Sequence, residues 1–318
     1  MDDRLVRRWG CAALLGCGLL LPPACAPVRL ADLPDGSTSA AWLASDEQAR
    51  QRRQPIAPTF VSEETRIEAV RYLLSISRMG TRPYPLDAIY ARLDPSVRTG
   101  VTRLRAVGAD GDVEFRELTT AFAGAVGACV VPIARFAEDL HFDGVAVVVV
   151  APVKGERRIV EKALTHALGD VSLVQDLVRG SVAVDHPDDV RLVAERTLDV
   201  LRSRDVEIIE VEDHFDIAGA GGYRDFQINL RLPRSRVIGE LQVHVKDLLL
   251  VKQRVGHGVY ERARVACAAL EMGIVSPDVS ATCARNSGVM AWSYVQAFRR
   301  AYSQPRLRTR PCAAPAGM

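Results

Sequence analysis

Two carboxylates, Asp176 and Glu240, and a group of cations ahead of them have the types and spacing to handle phosphate. Lys154, Arg157, Arg158 and Lys162 gather where a helical pattern begins, and backbone N–H groups at a helix start also attract anions. Arg158 and Lys162 are one turn apart and share a face, whereas Arg157 falls to the outer surface. Mg²⁺ is usually held by one or two carboxylates together with phosphate oxygens, so Asp176 and Glu240 are candidate catalytic residues and metal ligands. The plainer alternatives are a cap or ion pair for Asp176 and a solvated position for Glu240. Tyr223 follows Gly-Ala-Gly-Gly and either presents its ring to a base or enters the core.

Strands must position these groups. Residues 225–232 read Asp-Phe-Gln-Ile-Asn-Leu-Arg-Leu, with Asp225, Gln227, Asn229 and Arg231 on one face. In residues 238–245, Glu240, Gln242 and His244 share a face opposite Leu241, Val243 and Val245. If the two strands pair, one side of the sheet is core and the other a polar floor. The valine-rich run 145–151 reads as a strand buried on both faces. A helix over 156–168, a strand over 181–185, a helix over 187–202 and a strand over 206–211 follow. Gly219 to Gly222 form a loop, Pro233-Arg234 a turn, and 246–269 a helical pattern holding Lys252 and His257. A helical pair occupies about 277–302. This order gives a mixed α/β (α+β) fold, a mixed sheet flanked by helices.

Ahead of it, a helix over 62–79 is N-capped by Ser62, and one or two short helices fill 85–105. Asp110 to Leu118 resembles the second half of a calcium loop, but Ala106 and Gly108 stand where ligands are needed, so a turn is the better reading. A helix over 119–140 completes this segment.

The chain has 318 residues, a net charge of +2 and 48% hydrophobic residues, enough for a core and without the basic excess of a nucleic-acid binder. Arg4, Arg7 and Arg8 precede an uncharged run to Ala26, the pattern of an export signal, lipoprotein leader or membrane anchor. A start assigned too early, with a cytoplasmic domain, is the alternative. Residues 27–59 read as a linker, 60–140 as a helical segment, 141–270 as the main domain, 271–303 as C-terminal helices and 304–318 as a frayed tail. Cys129, Cys267, Cys283 and Cys312 lie beyond the leader without zinc spacing and are expected as buried thiols; disulfides would need an oxidising compartment.

The order Lys154…Arg158…Lys162, Asp176-Leu177, Gly222-Tyr223-Arg224, Glu240-Leu241-Gln242, His257-x-x-Tyr260 resembles the RelA/SpoT-like alarmone synthetases, a branch of the nucleotidyltransferase fold. The likeness spans residues 154–260. It implies that ATP donates pyrophosphate to the 3′-hydroxyl of GDP or GTP, with Asp176 and Glu240 holding Mg²⁺ and Glu240 helping to activate the hydroxyl. It further implies that Lys154, Arg158 and Lys162 grip phosphates, that Tyr223, with Arg224 and Gln242 in the same motifs, serves the guanine, and that His257 lies at the acceptor side. Two departures stand out. Arg179 comes two places early for the arginine facing ATP, though two is the strand period and keeps its face. Acidic Glu210, Glu212, Asp213 and Asp216 replace a basic loop. A degenerate domain that binds a nucleotide or partner without turnover is the alternative; a structural lipoprotein with a coincidental likeness is the third reading.

Overall fold

The computed structural model describes residues 51–78, 86–132, 146–167, 169–215, 223–253 and 257–307, without the side chains of 77, 78, 132, 257, 260 and 261. The expected leader, most of the linker, the end of the tail, the glycine loop at 219–222 and the ring of His257 lie outside them. Among the described residues no helix is long and apolar enough to cross a membrane.

A six-stranded mixed sheet runs in the order β1-β2-β3-β6-β5-β4. Its strands are β1 (Cys129–Pro132), β2 (Val147–Val150), β3 (Arg179–Val184), β4 (Glu207–Asp213), β5 (Phe226–Arg231) and β6 (Ile238–Val245). β3 and β6 are parallel neighbours at the centre, and β5 runs antiparallel to β6. The helices are α1 (Glu63–Arg78), α2 (Leu86–Arg92), α3 (Pro95–Val126), α4 (Glu156–Thr165), α5 (Asp188–Arg202), α6 (Lys246–Val251), α7 (His257–Glu271) and α8 (Pro277–Ala301). The strand–helix order expected from 145 onward is the order found, and Ser62 caps α1 by accepting from the Thr65 N–H at 3.2 Å.

The N-terminal half departs from expectation. α2 is a short helix as expected, but residues 95–126, read as the rest of the short helices, a turn and the start of another helix, form a single 32-residue helix, α3; residues 133–140 of that last expected helix lie outside the described residues. Asp110 to Leu118 lies inside α3, so there is no calcium loop. The Asp110-Gly111-Asp112 stretch read as a turn, but packing carries the helix through it. A Cβ on Gly111 would meet Val237 at 2.9 Å, so the glycine lets α3 lie close to the sheet. Glu114 instead accepts from the N–H groups of Arg234 and Ser235, at 2.8 and 2.9 Å, and so pins the β5–β6 turn to α3. Cys129 to Pro132, expected as helix, forms the edge strand β1.

Phe115 of α3 is fully buried beneath the central strands. A Cβ on Gly239 would lie 2.8 Å from Val178 and 3.2 Å from the Phe115 ring. Gly239 and Glu240 point to opposite faces, so this tight packing fixes the strand from below where the carboxylate stands above. Residues 51–59, at the end of the segment read as linker, lie against the sheet. The Gln54 side chain donates to the carbonyls of Val174, Gln175 and Ile238 and accepts from the Ile238 N–H.

Cys129 is disulfide-bonded, and Cys267 and Cys283 are not buried thiols either. They form a disulfide joining α7 to α8, with Cα atoms 5.2 Å apart. The expectation failed because sixteen residues separate them in sequence, and only the α7–α8 hairpin brings them together.

Candidate active site

Register places the site. Arg179 and Glu240 are direct partners across the parallel β3–β6 pair, followed by Ser181 with Gln242 and Ala183 with His244. Across β5–β6, Asn229 faces Glu240 and Gln227 faces Gln242. Across β4–β5, Glu210 faces Asn229 and Glu212 faces Gln227. One face of the sheet is therefore a polar floor, as the alternation in residues 225–245 implies.

Asp176 stands just before β3. The Lys154 N–H donates to the Leu177 carbonyl at 3.0 Å, and the Glu240 N–H donates to the Val178 carbonyl at 3.0 Å. The backbone after Asp176 is thus held between the cationic loop on one side and β6 on the other. Lys154 Nζ and Lys162 Nζ both meet Asp176 Oδ2, at 3.0 and 2.8 Å. The other oxygen, Oδ1, is buried without a hydrogen-bond partner. Burial pushes the Asp176 carboxyl up, but Lys162 and Lys154 outweigh it and hold the group well below the usual carboxylate range. Burial brings Lys154 down to about 8 even though Asp176 pulls the other way.

Glu240 behaves oppositely. Burial raises its carboxyl, and the nearby Asp176 charge raises it further. Gln242 Nε2 donates to its Oε1 at 2.8 Å. Two neighbouring buried carboxylates resist being ionised together without added positive charge. Asp176 keeps its charge through two lysines, and Glu240 carries the penalty. The pair fits a divalent cation on two grounds: an orphaned buried oxygen on Asp176, and a carboxyl on Glu240 that nearby positive charge would return to its ionised form. Among the described residues there is no cluster of three or more acidic, His or Cys side chains for a metal, so any ion would rely on these two carboxylates and a ligand's phosphates.

Arg158 is placed differently from the two lysines. It pairs with Glu161 Oε2 on its own helix at 2.5 Å, and Arg264 of α7 takes the other oxygen of that buried carboxylate. Arg157 turns outward to Asp87 at 2.6 Å and stacks over Tyr90. Arg179 lies on the floor beside Glu240, close enough for its charge to favour the ionised form of Asp176.

The other end of the floor brings Tyr223, Arg224 and Gln242 together with His214, Asp225, His244 and Lys252, to which the sequence reading gave no site role. The Tyr223 hydroxyl donates to Asp225 Oδ2 at 2.9 Å, lies 2.7 Å from His244 Nε2 and accepts from Lys252 Nζ at 2.8 Å. Lys252 also donates to Gln242 Oε1 at 2.8 Å, which links this cluster to Glu240. His214 Nδ1 meets Asp225 Oδ1 at 2.6 Å. That hydrogen bond raises the His214 imidazole, whereas burial brings His244 down to about 3, so His244 is neutral. The Tyr223 ring has Lys252 4.9 Å from its centroid and the Tyr294 ring of α8 at 5.4 Å. Arg224 donates to the Phe215 carbonyl and lies over the Phe298 ring at 5.0 Å. Asp225 and His244 were legible as floor positions by alternation. Lys252 and His214 carried no spacing signal, because they reach the cluster from a helix end and a strand end.

Glu210 and Glu212, the acidic residues replacing a basic loop, stand on the edge strand β4. Arg52 pairs with Glu210 at 2.7 Å and Asn229 donates to it at 3.4 Å. Burial first, and Glu210 second, raise the Glu212 carboxyl.

No family model matches the sequence, and no curated protein matches it. Similar solved structures do exist. One is a chain in the complex between the type VI effector Tas1 and its immunity protein, at 18% identity and TM-score 0.39, covering 64% of this chain and 97% of that one. Another is the small alarmone synthetase 1 from Bacillus subtilis bound to its product pppGpp, at 17% identity and TM-score 0.36, covering 57% and 87%. A third is a GTP pyrophosphokinase family protein from Streptococcus pneumoniae, at 18% identity and TM-score 0.36, covering 61% and 85%.

Proposed function

We propose that this chain is a Mg²⁺-dependent pyrophosphotransferase that moves the β,γ-pyrophosphate of ATP to the 3′-hydroxyl of GDP or GTP. The observation that carries the reading is the Asp176–Glu240 pair on one buried floor, with Lys154, Lys162 and Arg179 around it. Asp176 and Glu240 would hold the ion, which supplies charge neutralisation to the phosphates when bound. Lys154 and Lys162 already converge on one point and would exchange part of their contact with Asp176 for triphosphate oxygens. The acceptor oxygen forms a bond to the β-phosphorus, the bond from that phosphorus to the α,β-bridging oxygen breaks, and AMP leaves. The acceptor's hydroxyl proton passes to a Glu240 carboxylate oxygen. Catalysis of this kind rests on positioning and charge compensation.

A second reading is favoured by one specific observation. The Tyr223 hydroxyl is engaged by three groups, and Lys252 and Tyr294 stand against its ring. A domain fixed in that arrangement would bind a nucleotide or partner without turnover.

Incubating the full chain with Mg²⁺, ATP and GDP or GTP, beside Glu240→Gln, separates the two. Transfer that falls at least about 100-fold in the variant supports the enzyme, the loss expected when a proton acceptor is removed. Nucleotide binding by both proteins with no product from either supports the binding domain.

A further inference from the structure

Asn229 stands in the same row of the floor as Glu240, and the proposed reaction does not use it. The row crosses three strands: Glu240 on β6 faces Asn229 on β5, which faces Glu210 on β4. The orientation of the Asn229 amide follows from a backbone group. The Arg52 carbonyl can only accept, and Gln175 Nε2 donates to it at 3.3 Å, so Gln175 presents its Oε1 to Asn229. Glu210, paired with Arg52 at 2.7 Å, also presents an acceptor. Asn229 Nδ2 therefore faces these two oxygens, at 3.5 and 3.4 Å, and the assignment of its amide is fixed by the network. The remaining atom, Oδ1, is buried and has no hydrogen-bond partner. A buried carbonyl oxygen without a donor is costly and uncommon. Beside the reacting carboxylate, it points to a ligand that brings the donor.

Its neighbours decide which donor fits. The proposed reaction brings a 3′-hydroxyl to Glu240, and in a ribose the 2′-hydroxyl sits on the adjacent carbon, on the same side of the ring. Neighbouring strands are about 4.8 Å apart, and a hydroxyl approaches its acceptor to about 2.8 Å. Oxygens on Glu240 and Asn229 can therefore bracket both hydroxyls of one ring. A metal ion fits Oδ1 less well. Asp176 leads into β3, and β3 and β5 flank β6 on opposite sides, so an ion shared by Asp176 and Glu240 lies away from Asn229. Asn229 is 3% exposed, against 4% for Asp176 and 9% for Glu240, so the same opening that admits substrate to the carboxylates serves the whole row.

We infer, resting on that proposed transfer, that Asn229 Oδ1 accepts from the 2′-hydroxyl of the acceptor nucleotide and makes the site selective for ribonucleotides over 2′-deoxyribonucleotides. The contact turns the ring so that the 3′-hydroxyl meets Glu240. An acceptor without the 2′-hydroxyl leaves Oδ1 unpaired in a closed site, and a site built around a hydroxyl rejects the analogue that lacks it.

The test compares GDP with 2′-deoxyGDP as acceptors for the full chain, with Mg²⁺ and ATP, beside Asn229→Leu, which removes both polar atoms at similar size. Turnover gives the ratio of kcat/KM, and calorimetric binding of the same two nucleotides reads the contact without turnover. The parent should favour GDP about 10-fold or more, the effect of leaving a buried acceptor unpaired. In Asn229→Leu, GDP should fall to the level of 2′-deoxyGDP, bringing the ratio to about one. A parent that treats the two nucleotides alike, binding neither included, overturns the inference whether or not the variant folds. So does a variant that keeps the parent's ratio, or one whose loss with GDP is recovered by more Mg²⁺, which would put Oδ1 on the metal. Selective binding that Asn229→Leu abolishes, with no product from either protein, defeats the proposed reaction and leaves the 2′-hydroxyl contact standing.

Discussion

Asp176 and Glu240 divide one problem between them: a buried site has room for one uncompensated carboxylate charge, and two lysines settle it on Asp176. The same logic governs Asp225, where burial is outweighed by the His214 hydrogen bond and the carboxyl stays low. His214 is raised above its usual 6.5 by that bond. A raised folded value means stability that is complete below 6.5 and lost as pH climbs through the folded value. His214→Gln should therefore cost about 1 kcal/mol near pH 6 and progressively less toward pH 9. Thermal unfolding of both proteins across that range checks it, and a constant gap would show that the imidazole's charge contributes nothing. At this scale the carboxylates and lysines were legible from type and order. The approach of Arg264 to Glu161 was not, because it comes from α7, far along the chain.

At the scale of elements, β6 was readable from strict alternation, and so was the face on which Glu240, Gln242 and His244 stand. α3 was not, since its Asp110-Gly111-Asp112 stretch reads as a turn until the packing beneath the sheet is known. Gly239→Ala tests how tightly that packing holds the strand. The added methyl group has no room between Val178 and Phe115, so about 1–3 kcal/mol of stability should be lost, measured by urea unfolding. An unchanged midpoint would mean that the sheet yields easily. The α7–α8 hairpin makes a separate prediction. Cys283→Ser opens a loop of about 16 residues and should cost about 3 kcal/mol relative to the oxidised parent. A parent indifferent to reductant would show that packing of α7 on α8 suffices alone.

Taken whole, the molecule sets a mixed sheet between a long helix that fixes its apolar face and a set of C-terminal helices that bound its polar one. The alternation and the strand–helix order made this fold class legible, because both follow from local periodicity. The Tyr223–Asp225–His244–Lys252 cluster was not, because it assembles from β6, the approach to β5 and the end of α6 only after the sheet closes. The most direct test of the proposed chemistry is phosphorus NMR of the full chain incubated with Mg²⁺, ATP and GDP or GTP. The prediction is AMP and a nucleotide bearing a new 3′-pyrophosphate, formed one for one, with neither seen for Glu240→Gln. ADP with inorganic phosphate, or unchanged ATP in the presence of a folded, nucleotide-bound protein, would contradict it.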